Sequence, residues 1–149
     1  MQERYRFTEM TAAEQIHRWK AEKNAVILAH YYVRPEIQEI ADYVGDSYFL
    51  SEKAAELNAE IIVLCGVSFM GESAKILNTD KRVLLPEPEA DCPMAHMAKP
   101  EQVAEERAGY DDLAVVCYVN STAELKAVSD VCVTSSNAQK IVKALPQKN

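Results

Sequence analysis

Cys92 stands alone in a proline-rich run, PEPEADCPM, where Pro86, Pro88 and Pro93 fix the backbone around it. A thiol held in that way suits two chemistries. It is a nucleophile, or it is one ligand of a metal site whose other ligands come from elsewhere. Zinc-type spacing is absent, with no CxxC, and His96 is a second ligand only if 93–97 is helical. A second group of residues suits the handling of a small polar ligand. His30, Tyr31 and Tyr32 follow the apolar run AVILA directly; a histidine there donates to a carboxylate, and a tyrosine hydroxyl serves as a general acid or base. Ser47 and Ser135-Ser136 stand at expected helix starts, where free N–H groups and the helix dipole attract carboxylate or phosphate. Tyr118 and Asn120 flank Val119 at a strand end, so their side chains point the same way and line a pocket. Each also has a plainer use, since aromatic rings cover sheet edges and serines cap helices.

These residues need elements to position them. Thr11 to Glu14 is a capping box that opens a helix running to about Lys23. Residues 25–29 form a continuous apolar run of buried-strand type, and Pro35 opens a helix that carries Ile37, Ile40, Ala41 and Val44 until Gly45 stops it. Asp46-Ser47 caps the next helix, SYFLSEKAAELN. A strand over 61–65, a Gly-containing turn, a helix from about Phe69 to Leu77 and the strand RVLLP then lead to the Cys92 loop. The turn, Gly66 to Glu72, lacks the glycines of a dinucleotide fingerprint, which excludes a nicotinamide site, and reads as a wall of the pocket. From Pro100 the alternation restarts: PEQVAEERA, LAVVCYV, STAELKAV, DVCVT and SNAQKIVKAL. Alternating helices and buried strands predict three-layer α/β/α domains with parallel sheets, one complete domain over 1–95 and part of a second over 96–149.

The two halves also repeat. AVILAHYY resembles AVVCYVNS, and in one common register His30 pairs with Tyr118 (118 − 30 = 88), Tyr32 with Asn120 and Ser47 with Ser135. Polar residues recurring at one offset alongside apolar ones predict two pseudo-symmetric units facing a shared site.

Composition sets outer bounds. The 149 residues are 48% hydrophobic and 26% charged, enough for a core and an ordinary soluble surface. A net charge of −7 argues against nucleic-acid or anionic-membrane partners. The N-terminal run lacks an apolar signal core and no segment has the length of a membrane span, so a cytoplasmic location is expected. In a reducing compartment Cys65, Cys117 and Cys132, each inside an apolar run, read as small buried hydrophobes.

The long motifs AHYYVRPEIQEIADYVGDSYFLSEKAA, IIVLCGVSFMGESAKIL, VLLPEPEADCPMA and VVCYVNSTAELKAVSDVCVTSSNA together resemble the quinolinate synthase family, in the family's order and spacing from about Glu9 onward. The resemblance implies three pseudo-symmetric α/β domains and a condensing, dehydrating transferase of de novo NAD biosynthesis. Its substrates would be iminoaspartate and dihydroxyacetone phosphate, and a [4Fe-4S] cluster held by three cysteines would act as Lewis acid. It assigns Cys92 as the first cluster ligand, and His30 and Ser47 as carboxylate binders. Tyr32 becomes the acid–base tyrosine, and Tyr118, Asn120 and Ser135 the second domain's substrate contacts. It also implies a functional link to L-aspartate oxidase. Only one of the three expected ligands is present, because Cys117 and Cys132 do not match the other two. The expectation is therefore a truncated form, with self-association through an unfinished second domain. The alternative is an inactive α/β fragment that binds small dicarboxylates or only folds.

Overall fold

The computed structural model describes residues 10–149, so the residues before Met10, at the head of the expected first domain, lie outside it. Four parallel strands, β1 (Ala25–His30), β2 (Tyr43–Gly45), β3 (Ile61–Cys65) and β4 (Arg82–Leu84), form one sheet in the order β2-β1-β3-β4. A second, two-stranded parallel sheet joins β5 (Val116–Tyr118) and β6 (Val131–Val133). Helices alternate with the strands: α1 (Ala12–Glu22), α2 (Pro35–Ile40), α3 (Ser47–Glu56), α4 (Ser68–Leu77), α5 (Pro100–Gly109), α6 (Ala123–Ala127) and α7 (Ala138–Ala144). Around the larger sheet α1 packs beside α2 and α3 beside α4, giving the three-layer α/β/α arrangement.

The apolar runs explain the burial. β1 is the inner strand between β2 and β3, and Val26 through His30 are all buried. Val26 and Leu28 join Leu50, Ala54, Ile62, Leu64, Phe69, Met70 and Ala74 in one core. No helix among the described residues is long and apolar enough to cross a membrane.

The helix expected to run from Pro35 to Val44 is shorter. α2 ends at Ile40, and Tyr43–Gly45 is instead an edge strand, with Tyr43 in register with Leu28. Asp42 makes the difference. Its N–H donates to the Ile27 carbonyl (2.9 Å), its carboxylate accepts from the Ile27 N–H (2.7 Å), and Lys20 Nζ closes on the same carboxylate (2.7 Å). The second unit repeats this device at the 88-residue offset. Asp130 N–H donates to the Val115 carbonyl (2.9 Å), and its carboxylate accepts from Val115 N–H (2.8 Å) and Arg107 (2.7 Å). The repeat in the sequence is therefore a repeat in structure.

Lys81 ties the larger sheet to α3. Its ammonium donates to the carbonyls of Ala54 (2.9 Å) and Leu57 (2.6 Å), at the negative end of that helix. Lys81→Met keeps the aliphatic stem and strands both carbonyls. It is expected to lower stability by about 1–3 kcal/mol, read as a shifted urea midpoint. A midpoint equal to that of the wild type would show these bonds to be idle.

Candidate functional site

Parallel strands deliver their ends to one edge, and open α/β sheets place ligands there. A cleft of about 350 Å³ lies at that edge, between the ends of β1 and β2 on one side and of β5 and β6 on the other. His30, Ser47, Tyr118, Asn120 and Ser135 all line it. Five residues nominated by the repeat are thus brought together, and His30 and Ser47 face their own repeat partners.

His30 ends the buried strand and is 6% exposed. Its Nδ1 accepts from the Tyr32 N–H (3.4 Å), which leaves Nε2 to carry the proton of the neutral ring. Burial pushes its pKa below the usual value of 6.5, against the pull of the neighbouring Asp46 carboxylate. A depressed histidine pKa means that the unfolded chain binds more protons as pH falls through 6.5. The stabilising contribution is complete above that value and is lost as pH falls below it toward the folded value. His30→Gln is expected to flatten this part of the profile, measured as urea midpoints from about pH 5 to about pH 8. An unchanged slope would exclude His30 as its source.

Ser47 is the first residue of α3, whose N-cap is Asp46, with the Asp46 carboxylate accepting from Phe49 N–H (2.8 Å). A β-carbon at Gly45 would overlap the Phe49 ring, so a larger residue there requires that ring to move. Ser135 lies in the turn ahead of α7, whose N-cap is Asn137, so it does not start that helix as expected. Its Oγ hydrogen-bonds the Tyr118 hydroxyl instead (3.0 Å). Asp46, read only as a helix cap, and Thr134 also line the cleft and escaped the sequence reading as site residues, while Ser136, named there with Ser135, lines it too. The aspartate that precedes Ser47 was the available signal for the first of these.

Tyr32 and Cys92 lie to one side. The Tyr32 ring packs on His30 with centroids 3.9 Å apart, and its hydroxyl donates to Met70 Sδ (3.9 Å). Burial raises its pKa above 10, reinforced by the nearby Cys92 thiol and opposed by a hydrogen bond from the Val67 backbone, so the phenol keeps its proton at neutral pH. Tyr32 lines a second cleft of about 240 Å³ with Cys65, Gly66, Val67 and Pro86. This cleft sits between the ends of β1 and β3, where the strand order reverses. The Gly66 end of the turn therefore borders Tyr32 and not the His30–Ser47 cleft.

The Cys92 loop is pinned by more than its prolines. Asp91 accepts from Cys92 N–H (2.7 Å), Ser68 Oγ (2.9 Å) and the His96 ring (2.6 Å), and these bonds hold its carboxyl below the usual range, the Cys92 amide first. Residues 93–96 form a 3-10 turn, and the His96 ring pairs with Asp91. All four cysteines are free. Cys132 is exposed, which corrects its reading as a buried hydrophobe: the two-stranded sheet leaves that side of β6 open. Among the described residues no three His, Cys, Asp or Glu side chains are grouped to hold a metal ion.

Two hydrogen bonds fasten the larger sheet's α4 to the second unit. Glu72 accepts from the Ala123 N–H (2.7 Å) at the start of α6, and Lys126 Nζ donates to Ser73 Oγ (2.7 Å). This contact was absent from the sequence reading.

Fold and clefts define the class: a parallel α/β protein built from a repeated unit, with a polar cleft between the two copies at the strand ends. The family model for the quinolinate synthetase A protein matches residues 14–149. The chain belongs to that family. It is 57% identical over 136 residues to the quinolinate synthase of Fusobacterium nucleatum, covering 91% of this chain and 46% of that protein. It is 56% identical over 135 residues to that of Aquifex aeolicus (91% and 42%) and 58% identical over 137 residues to that of Alkaliphilus metalliredigens (92% and 45%). The chain therefore spans less than half the length of these relatives.

Proposed function

We propose that the chain carries part of the substrate site of a quinolinate synthase, the enzyme that condenses iminoaspartate with dihydroxyacetone phosphate to quinolinate in NAD biosynthesis. The observation that carries this reading is the single cleft shared by His30, Ser47, Tyr118, Asn120 and Ser135. Both substrates are small anions. Neutral His30 offers an Nε2–H donor, and Ser47 offers a hydroxyl at the positive end of a ten-residue helix. Asn120 and the paired Tyr118 and Ser135 hydroxyls face them with further donors, Ser135 for a carboxylate or phosphate. Ring closure expels water, and a leaving hydroxide needs a proton. Tyr32 retains its proton at neutral pH and is the general acid in this proposal.

Cys92 is proposed as one ligand of a [4Fe-4S] cluster that would supply Lewis acidity. One thiolate does not hold such a cluster, and the described residues group no further ligands around it. They do not fit the cluster by themselves. That same observation favours a second reading for the chain in isolation, which is dicarboxylate binding without turnover. Self-association is part of the proposal and rests on the open β5–β6 sheet and on Val142 of α7, which is 52% exposed. A domain division near residue 96, a cytoplasmic location and the link to L-aspartate oxidase are proposed with it.

Calorimetric titration with quinolinate tests the site. Binding is expected, with Ser47→Ala and Ser135→Ala each weakening it about tenfold, the loss of one hydrogen bond to a charged group. Heat that is absent, or unchanged in both variants, would sink the assignment. Anaerobic reconstitution with iron and sulfide tests the cluster reading. A full cluster and quinolinate formation by this chain alone would overturn the need for outside ligands.

A further inference from the structure

Cys117 on β5 and Cys132 on β6 are direct register partners in a parallel pair. Parallel neighbours lie about 4.8 Å apart and direct partners share a face, which is within the Cα separation that a disulfide spans. The Cys117 thiol donates to the Tyr118 carbonyl (3.3 Å), and Cys132 is its register neighbour across the pair. One is buried and the other exposed, and Cys132 lines an open, mostly apolar cleft of about 350 Å³ between α3, α4 and β6. The family resemblance gives neither cysteine a role. We propose that Cys117 and Cys132 form a redox-active dithiol that a small disulfide such as oxidised glutathione converts to a Cys117–Cys132 disulfide.

The exposed residue reacts first. The Cys132 thiolate attacks one sulfur of the oxidant, whose S–S bond breaks and releases one thiol. The Cys117 thiolate then attacks Cys132 Sγ and releases the second thiol. One protein S–S bond forms, two electrons pass to the oxidant, and the two thiol protons end on the released thiols. Lys126 lines the same cleft. Packing raises the Cys132 thiol pKa, Cys117 adds to that rise, and the Lys126 ammonium works against it. The bond would staple β5 to β6 directly behind the cleft, since Tyr118 follows Cys117 and Ser135 lies just past Cys132.

The chain's own cleavage sites make the test direct. The full chain is reduced, freed of reductant, exposed to oxidised glutathione, quenched with N-ethylmaleimide and digested with trypsin. Cleavage after Arg107, Lys126 and Lys140 places the two cysteines on separate peptides. The expected result is peptide 108–126 linked to peptide 127–140, two hydrogens lighter than the separate pair, with maleimide on Cys65 and Cys92. Cys132→Ser is expected to remove the linked peptide and leave labelling of Cys92 unchanged. Glutathione retained on Cys132 without the link would overturn the proposal. So would a link from either cysteine to Cys92. The wild-type digest decides the matter even if a variant fails to fold.

Discussion

Leu28→Ala is expected to remove about 2–5 kcal/mol of stability, a large share of the 5–15 kcal/mol typical of a folded domain. Leu28 lies on the inner strand β1 and is fully buried. Its register partners are Tyr43 on β2 and Leu64 on β3, and its side chain joins the core under α3 and α4. Truncation leaves a void between the sheet and the α3–α4 layer, and a strand hydrogen-bonded on both edges cannot collapse into it. Leu64→Ala, 1% exposed, should cost a similar amount. The double variant should depart from the sum by about 0.5 kcal/mol or more, because the two side chains share one cavity. Ile76→Ala, at a residue 51% exposed, should stay within about 0.5 kcal/mol of wild type. Urea unfolding followed by circular dichroism reads all four proteins. A Leu28→Ala loss below about 1 kcal/mol would mean that the core relaxes around β1.

The elements that were legible are those whose local pattern and burial coincide. Residues 25–29 and Ile61–Cys65 are apolar throughout; β1 is covered on both faces, and β3 is buried on one face and partly covered on the other. Tyr43–Gly45 was illegible as a strand because three residues carry no periodicity; the Asp42–Ile27 bonds that dock it are tertiary. Among the site residues, the repeat gave the cleft its five members, since equivalent strand ends land in equivalent places. It did not foresee that Tyr32 turns toward the Cys92 loop, because that depends on the packing of the ring against His30 and Met70. Cys132 misled for the opposite reason. Its neighbours Val131 and Val133 suggest a covered strand, but a sheet of only two strands leaves one side of it bare. The Cys92 loop was read as rigid from its prolines, whereas Asp91 supplies the bonds that fasten it to α4.

Glu72→Ala is expected to weaken quinolinate binding about tenfold, although Glu72 does not line the cleft that holds the proposed contacts. The cleft's two halves sit on different sheets, so its width depends on what joins them. Glu72 and Ser73 are consecutive on α4, and their partners Ala123 and Lys126 lie one turn apart on α6, which makes a two-point fastening that sets distance and rotation together. Loss of the carboxylate leaves the Ala123 amide without its acceptor, a change worth about 1.5–3 kcal/mol for a bond to a charged group. If about 1.4 kcal/mol of that is spent on re-forming the cleft when ligand binds, affinity falls by one decade. Glu72→Gln retains an acceptor oxygen and should bind close to wild type. Lys126→Met removes the other point and should be coupled to Glu72→Ala in a double-mutant cycle. Hydrogen exchange supplies the control. The Ala123 amide should lose protection in Glu72→Ala while the amides of β1 and β3 keep theirs, which separates a loosened junction from a weakened fold. An unprotected Ala123 with undiminished quinolinate affinity would show that the two halves of the cleft do not need this clamp.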